Sequence, residues 1–537
     1  MNTEILRTLS QDILREILNG RIRSKDDLQK AKIKLSKKYR IPVPKDSDIL
    51  AHIPREYLGK IRYILGRKLA KVSAGVATVA VMTSPARCPH GKCIYCPGGV
   101  DLGTPQSYTG LEPAARRGLE FNYDPYLQVI HRIKQIESIG QPSDKIELIV
   151  MGGTFLARDR IYRDWFIKRC YDALNGQISC SLEDAIKANE TAKHRCVALT
   201  IETRPDWCFE EHVDEMLRYG TTRVEIGVQT VYEDILKKIR RGHSVEDIIR
   251  ATRVAKDAGL KVVYHLMPKL PGCDLKRDLK MFKTVFTDSR FRPDMLKIYP
   301  TLVIKGTELY NMWKRGEYEP PDDDYVIKLL KEVFKIIPPW VRVQRVMRDI
   351  PSNAINAGPR KSHIRDIVIE ELEREGIRIR EMRYREVGFR YIREGITPDL
   401  DKVELVRIDY EASNGKEIFL SFEDIEKDIL IAYLRLRLPS ESAHRSEIAE
   451  VPTAIVRELK VDGPPVPLGE KPLFEWQHRG FGRRLMLEAE RIAFEEFGVD
   501  RVVVTSGVGV REYYRKLGYN LLGPYMGAVR RERRTFH

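Results

Sequence analysis

Three cysteines, Cys88, Cys93 and Cys96, lie within nine residues, and no other cysteine follows nearby. Thiolates at this spacing converge on one metal centre and leave one coordination position without a protein ligand. A closed zinc site or an electron-transfer cluster requires a fourth ligand, whereas a 4Fe-4S cluster held by three thiolates binds a small molecule at its fourth iron. The spacing therefore indicates an iron-sulfur cluster with an open iron, which is a site for chemistry.

A zinc knuckle is the alternative, with His90 as the fourth ligand. His90 lies two residues after Cys88 and three before Cys93, so a single short turn would have to carry three ligands. This cramped arrangement favours the iron-sulfur cluster, and zinc stays open as the second interpretation.

With Tyr95 directly before its last cysteine, the loop resembles the radical S-adenosylmethionine (SAM) superfamily. The usual spacing there is three residues and then two. This loop has four and then two, which suits a subfamily with a longer first interval. Gly152 and Gly153 follow the next predicted strand and resemble the superfamily's glycine motif, whose backbone receives the amino group of SAM.

Three further polar residues stand at the ends of predicted strands: Glu202, Arg204 and Gln229. The strand ends of a parallel barrel carry its ligand-binding groups, so these residues are candidates for cofactor binding. Ion pairing inside the fold explains them equally well, and both interpretations stay open.

Strands and helices alternate through the centre of the chain. Apolar runs predict strands, and helical stretches such as residues 126–139 and 245–258 separate them; the strands are residues 76–82, 146–151, 196–200, 223–228, 261–268 and 296–300. This alternation predicts an α/β fold with a βα barrel or part of one.

The most concentrated charge lies in residues 1–74. This segment holds 18 basic and 8 acidic residues, a net charge of +10 out of +16 for the whole chain. Apolar residues recur at helical spacing from Ile5 to Leu18, and basic residues fill the other faces of residues 21–40. The pattern predicts a basic helical N-terminal region with a polyanion partner, namely nucleic acid; a solvated helix surface is the alternative.

The bulk properties limit the class of protein. At 537 residues about three domains are expected, and the predicted divisions are 1–74, 75–350, an arginine-rich connector at 351–400, and 401–537. The connector's arginines are expected to pair with acids or with RNA. Lys237, Lys238 and residues 240–243 predict a basic patch on the side of the barrel.

Cysteine usage indicates a reducing interior, and no apolar run reaches the roughly 18 residues of a membrane span, so we expect a cytoplasmic protein.

The last segment has a different signature. A hairpin is predicted at residues 417–423 and 429–436 and a strand at 454–461; Gln477, Gly480 and Gly482 then open a helix predicted over residues 483–497. Glycines before a helix expose its first N–H groups, which bind phosphate together with the positive helix terminus. The pattern resembles the pyrophosphate loop of the GNAT acetyltransferases.

A strand at residues 501–505 and a helix at 510–519 resemble the next elements of the GNAT family. The tyrosine of that helix commonly faces the sulfur of coenzyme A (CoA) and can donate a proton to the thiolate. Tyr514 is the first candidate and Tyr513 the second; helix packing of the two rings is the alternative.

Taken together, these segments resemble the catalytic subunits of Elongator over nearly the whole chain. The stretches that carry the resemblance include residues 93–99, 106–110, 151–155, 299–304 and 513–519. The resemblance implies a radical SAM partial βα barrel fused to a GNAT α+β domain. It also implies tRNA uridine(34) acetyltransferase activity that leads to 5-carboxymethyluridine at the wobble position.

The resemblance further implies the ligands. Cys88, Cys93 and Cys96 would hold the 4Fe-4S cluster. Acetyl-CoA would contact Tyr514 and a set of residues from several segments: Lys145, Glu458, Leu459, Lys460, Val461, Phe481, Gly482, Arg483 and Arg484. The implied partner is the anticodon arm of tRNA, and the solitary subunit form suggests an enzyme that acts without a large accessory complex.

In the implied reaction, cleavage of SAM gives a 5'-deoxyadenosyl radical that takes hydrogen from the acetyl methyl group, and the carbon radical adds to C5 of uridine. Thioester hydrolysis then leaves the carboxymethyl group. Two other interpretations stay open: a protein lysine acetyltransferase with a structural iron-sulfur cluster, and a non-enzymatic tRNA-binding scaffold.

Overall fold

The computed structural model describes residues 3–50, 52–54, 57, 76–463 and 480–530. Its α-helices are Thr3–Leu18, Lys25–Tyr39, Asp46–Leu50, Pro113–Glu120, Pro125–Ser138, Arg160–Asn175, Leu182–Asn189, Glu210–Arg218, Glu233–Lys238, Val245–Asp257, Leu275–Thr287, Glu308–Lys314, Asp323–Ile336, Ile364–Arg374, Met382–Arg385, Val387–Glu394, Ser446–Ala449, Phe481–Arg491 and Arg511–Lys516. The strands form two seven-stranded sheets. No helix among these described residues is both long and apolar enough to cross a bilayer.

The first sheet is parallel, and its strands follow one another in chain order. They are β1 Ala77–Met82, β2 Lys145–Met151, β3 Arg195–Thr203, β4 Arg223–Gln229, β5 Lys261–Leu266, β6 Met295–Ile298 and β7 Arg342–Val346. Helices connect the strands, and β1 and β7 form the two edges of the described sheet. The predicted α/β fold with a partial βα barrel is confirmed.

The two faces of this sheet differ in chemistry. In β2, Ile146, Leu148 and Val150 are fully buried under the helices, whereas Lys145 and Glu147 on the alternate positions are half-buried. Alternation with period two places the charged residues on the concave face of the half barrel. The lumen of the barrel is therefore lined with polar groups.

The second sheet is mixed, in the order β13-β14-β12-β11-β10-β9-β8. Its strands are β8 Val403–Ala412, β9 Gly415–Asp424, β10 Ile429–Leu438, β11 Thr453–Val461, β12 Arg501–Val504, β13 Asn520–Leu522 and β14 Tyr525–Val529. β11 and β12 are parallel and pair only from Thr453 to Val456. Beyond that point the two strands separate, which opens a gap beside the last half of β11.

The two sheets share one core. Ile455, Val503, Val508 and Tyr525 of the second sheet and its loops belong to the same buried apolar cluster as the barrel. The backbones also approach closely, because a Cβ atom on Gly507 would lie 2.0 Å from the carbonyl oxygen of Val197. The second domain is thus fitted tightly against the barrel.

The N-terminal helices bury their apolar stripes against one another. Leu9, Ile13, Leu28 and Ile49 are at most 2% exposed within this cluster. Lys32 is buried and pairs with Asp46, but most basic side chains are exposed: Arg7, Arg15, Arg21, Arg23, Lys30, Lys34, Lys37, Lys38 and Arg40. Residues 58–75, where the basic helical pattern was expected to continue, lie outside the described residues.

Several boundaries differ from the prediction. β7 and β8 were not predicted, nor were β13 and β14. The helix expected over residues 483–497 ends at Arg491 and passes into a π-helical turn, Ile492–Glu496. The connector arginine Arg385 pairs with an acid, Asp428, at 2.7 Å. Arg342 of β7 donates two hydrogen bonds to Glu386 of the connector.

Candidate functional site

The cysteine loop follows β1 at the carboxyl end of the parallel sheet. Cys93 and Cys96 are 5% and 4% exposed, and Cys88 is half-buried. None of the three forms a disulfide. The carboxyl ends of barrel strands are where such folds place their chemistry, so the loop lies where the sequence predicted.

Each thiol has a hydrogen-bond donor beside it. The Ser107 N–H donates to Cys96 Sγ at 3.2 Å, and the Thr154 hydroxyl donates to Cys88 Sγ at 3.7 Å. Burial raises the pKa of the Cys88 and Cys96 thiols above the ordinary value, so metal loading must release their protons. The donors then stabilise the thiolates that result.

His90, the candidate fourth zinc ligand, lies against the loop with Nε2 3.2 Å from Cys93 Sγ. Burial, with the nearby Arg204 and Arg241, lowers the pKa of His90 to about 3, so its imidazole is neutral. The positive charge at the loop comes from the two guanidinium groups. Three free thiols beside fixed cations fit a group that carries negative charge, such as a 4Fe-4S cluster on three thiolates.

The glycine pair lies directly against the cysteine loop. Gly152 and Gly153 have φ of +129° and +91°, a region that favours glycine. A Cβ on Gly152 would lie 2.1 Å from the Thr83 hydroxyl, and one on Gly153 would lie 3.9 Å from Cys88 Sγ. The structure thus brings the two predicted motifs together, with an open backbone turn facing the thiols.

Arg204 is engaged inside the fold. It is 3% exposed and donates two hydrogen bonds to Asp206, both of 2.9 Å, and a third of 2.8 Å to the carbonyl oxygen of Arg241. Ion pairing was one of the two interpretations of this residue, and the hydrogen bonds from Arg204 to Asp206 agree with it. A direct contact of Arg204 with SAM stays a prediction.

Glu202 and Gln229 lie on neighbouring strands near the loop. β3 extends through Glu202, which accepts a hydrogen bond of 2.7 Å from the Tyr108 hydroxyl. Gln229 is the last residue of β4 and has φ of +68°. Its backbone carbonyl oxygen accepts a hydrogen bond of 2.8 Å from the Met267 N–H. Their assignment to the cofactor stays a prediction.

A second polar group lies on the concave face of the barrel. Glu202, Glu225 and His265 present ligand atoms within 4.8 Å of one another, a spacing suited to a metal. However, the Lys297 ammonium contacts the Glu225 carboxylate, and His265 Nε2 lies 2.9 Å from it. Since a cation already neutralises Glu225, this group is an ion-pair cluster rather than a metal site.

The predicted basic patch on the barrel needs a correction. Lys237, Lys238 and Arg240 are exposed as expected, but Arg241 and His243 are only 7% and 4% exposed. The Arg241 guanidinium turns inward to the cysteine loop. Consequently only part of this segment belongs to the protein surface.

The GNAT-like motif also forms a compact site. Gly480, with φ of +84°, precedes the helix Phe481–Arg491, and no side chain among the described residues caps that helix. A Cβ on Gly482 would lie 3.1 Å from the Tyr513 hydroxyl, 3.6 Å from Val461 and 3.9 Å from Leu459. This helix terminus therefore lies beside the separated half of β11, a geometry suited to a pyrophosphate and the chain that it carries.

The two candidate tyrosines differ in position. Tyr514 is 6% exposed and its ring belongs to the domain core, whereas Tyr513 is 38% exposed and its hydroxyl lies beside Gly482. Exposure to ligand favours Tyr513, the second candidate, and the assignment of the proton donor stays a prediction. Arg483 and Arg484 are exposed at the start of the helix, and Phe481 is buried beneath it. Gln477 lies outside the described residues.

Two of the other acetyl-CoA candidates have side chains committed to ion pairs. Glu458 accepts from Lys261 at 3.3 Å and from Arg435 at 3.0 Å, and Lys460 lies 2.6 Å from Asp462. A contact of these residues with the ligand would therefore use their backbone.

Lys145 lies at the opposite end of β2 from Gly152, about 23 Å away at 3.3 Å per residue. Its neighbour across the sheet, Arg195, contacts the second domain at Gly509. Lys145 is therefore near the acetyl-CoA side and remote from the thiols.

Four protein-family models match separate parts of the chain. The Radical SAM superfamily matches residues 82–282, and its C-terminal domain matches 293–374. The ELP3 N-terminal domain matches residues 6–68, and the GNAT acetyltransferase family matches 473–519. Fold and sites define a radical SAM protein fused to a GNAT-type acetyltransferase.

Similar proteins extend over the whole chain. The tRNA uridine(34) acetyltransferase of Methanocaldococcus infernus is 54% identical over 98% of this chain and 99% of its own length. Human Elongator complex protein 3 is 45% identical over 97% of both. The solved structure of M. infernus Elp3 with an N-terminal deletion has a TM-score of 0.76, 53% identity, and covers 85% of this chain and 100% of its own. The chain belongs to the Elongator complex protein 3 family.

The sequence analysis missed the residues that surround the thiols. Ser107, Thr154 and Arg241 each approach one sulfur atom. Ser107 stands in the stretch 106–110 and Thr154 in the stretch 151–155, which had been noted only for the family resemblance. No feature of the local sequence indicates that Arg241 is buried.

Proposed function

We propose that this protein is a tRNA uridine(34) acetyltransferase that uses acetyl-CoA and SAM to form 5-carboxymethyluridine at the wobble position of tRNA. The observation that carries the proposal is the 54% identity, over nearly the full length, to an archaeal protein of that name. The two sites described above support it, because a thiol loop with its glycine turn and an acetyl-CoA-type helix terminus lie in one molecule whose two domains share a core.

Cys88, Cys93 and Cys96 hold a 4Fe-4S cluster. When bound, the cluster supplies the electron that cleaves SAM and so provides the radical that activates the acetyl methyl group. The Gly152–Gly153 backbone turn receives SAM, with Glu202 and Gln229 on the adjacent strands. On the other side, the N–H groups at Gly480 and Gly482 bind the pyrophosphate of acetyl-CoA, and Tyr513 or Tyr514 protonates the departing thiolate.

The N-terminal helices bind the anticodon arm of tRNA. Their exposed lysines and arginines supply sequence-independent phosphate contacts, and the wobble base leaves its stack to reach the barrel. We assign residues 1–74 to this region, 75–350 to the barrel, 351–400 to the connector and 401–537 to the acetyltransferase domain. We also propose that the protein is cytoplasmic and acts without a large accessory complex; its eight free cysteines support a reducing compartment.

The decisive experiment measures acetyl-CoA hydrolysis by the anaerobically purified protein with and without tRNA, together with the modified nucleosides of that tRNA. We expect hydrolysis to depend on tRNA and 5-carboxymethyluridine to appear only when SAM and a reductant are present. Hydrolysis that is indifferent to tRNA, together with acetylation of lysine peptides, would instead establish the lysine acetyltransferase.

A further inference from the structure

Arg241 is a buried cation that the reaction as described above does not use. Its Nη1 lies 3.6 Å from Cys93 Sγ, and its Nη2 donates a hydrogen bond of 2.7 Å to the carbonyl oxygen of Gly227 in β4. The residue is 7% exposed, so water screens its charge only weakly. A full positive charge is therefore held next to one of the three sulfur atoms.

The position of this guanidinium is fixed from two sides. The carbonyl oxygen of Arg241 accepts the 2.8 Å hydrogen bond of Arg204, which Asp206 anchors in turn. On the other side, the absence of a side chain at Gly227 makes room, because a Cβ there would lie 2.4 Å from Nη2. Three elements distant in sequence thus cooperate to direct one charge at Cys93.

We propose that Arg241 sets the reduction potential of the iron-sulfur cluster, as a positioning residue that stabilises its reduced form. This inference rests on the proposed function only in that the cluster occupies the three cysteines. Reduction adds one negative charge to the cluster, and a fixed cation in a site of low polarity stabilises that added charge. The consequence is that reduction, which SAM cleavage requires, becomes easier.

The test compares R241Q, which removes the charge, with R241K, which keeps a charge, and with R240Q at the exposed neighbouring arginine. Iron and sulfide are quantified first in each reconstituted protein. The potential is then measured by anaerobic redox titration, with the electron paramagnetic resonance signal of the reduced cluster as the readout. We expect R241Q to lower the ratio of reduced to oxidised cluster at a given potential about tenfold, a shift of about 59 mV to more negative values. R241K and R240Q should stay near the wild type.

Gly227→Ala provides a second perturbation that leaves Arg241 in the chain. Gly227 has no positive φ, so the backbone tolerates the alanine, whose Cβ displaces the flexible end of Arg241 and lies 3.1 Å from the Gln229 amide nitrogen. We expect the potential of G227A to shift in the same direction as that of R241Q.

Equal potentials in wild type and R241Q, or an equal shift in R241Q and R241K, would overturn the inference. If R241Q loses the cluster while R241K retains it, the result supports the requirement for a positive charge at this position. Loss of the cluster in both variants would overturn the inference, because Arg241 would then act through its packing. A wild type without iron and sulfide refutes the proposed function itself, and that outcome is distinct from all of these.

Discussion

The guanidinium group of Arg457, in β11, donates hydrogen bonds of 2.6 and 2.8 Å to the two carboxylate oxygens of Asp294, directly before β6. Both side chains are fully buried. Glu417 accepts from the same guanidinium at 2.8 Å, and the Lys256 ammonium lies 3.3 Å from Asp294. The barrel and the acetyltransferase domain therefore meet through a buried charge network in which each member neutralises its neighbours.

Arg457→Met should destabilise the protein by about 3–5 kcal/mol, because it leaves the carboxylates of Asp294 and Glu417 buried with too little positive charge. The free energy of unfolding from urea denaturation measures this. The matched control is Arg407→Met, whose half-exposed pair with Asp409 should contribute at most about 1 kcal/mol. Similar losses in the two variants would contradict the role of the network.

Acid should weaken the contact between the domains. Burial raises the pKa of Glu458, but Lys261 and Arg435 outweigh it and lower that pKa to about 2, below the ordinary value of 4.5. A carboxyl group whose pKa is lowered on folding contributes stability above its unfolded pKa and loses it as pH falls toward the folded value.

We therefore expect about 3 kcal/mol of stability to be lost between pH 4.5 and pH 2. Burial also lowers the pKa of Lys261 from its ordinary value, although Glu458 opposes that shift. Urea denaturation as a function of pH measures the effect. Glu458→Gln should be less stable at pH 7 and should show a flatter acid limb; an unchanged acid limb in this variant would refute the assignment.

Tyr513→Phe should reduce tRNA-stimulated acetyl-CoA turnover about 100-fold, because Tyr513 is 38% exposed and can reach a bound acetyl donor, whereas Tyr514 is 6% exposed. Tyr514→Phe, in the core, should change turnover much less. Steady-state rates at saturating acetyl-CoA and thermal unfolding curves separate chemistry from folding. The reverse order of effects would assign the proton donor to Tyr514.

Gly152→Ala should weaken SAM binding at least about tenfold, since the new Cβ meets the Thr83 hydroxyl and the positive φ is strained. Gly176→Ala is the matched control, because Gly176 also has a positive φ, of +72°, but no atom within 4 Å of the added Cβ. Equilibrium dialysis with SAM measures the effect. Equal losses in both variants would show that backbone strain alone is responsible.

Serine at Cys88, Cys93 or Cys96 should abolish retention of iron and sulfide, whereas the exposed Cys180→Ser should not. Acetyl-CoA affinity should be unchanged in all four variants, because that site lies in the other domain. Metal analysis of anaerobically purified protein and calorimetric binding provide the two readouts. Full iron content in a triad variant would contradict the ligand set.

Local patterns predicted the parts of the fold that depend on local sequence. β2 and the turn at Gly152 follow from an apolar run that ends in two glycines, and the three thiols follow from their spacing. β7 escaped prediction because its arginines suggest a surface segment, whereas Arg342 is neutralised by Glu386, 44 residues later. Arg241 shows the same limit: the sequence displays its charge but not its burial, and its partner Cys93 is 148 residues away.

The length of β2 has a further consequence. Gly152 at one end lies against the thiols, and Lys145 at the other end lies toward the acetyltransferase domain, which the buried pair of Arg457 and Asp294 joins to the barrel. In the proposed reaction, the acetyl donor and the flipped nucleotide have to meet across this span.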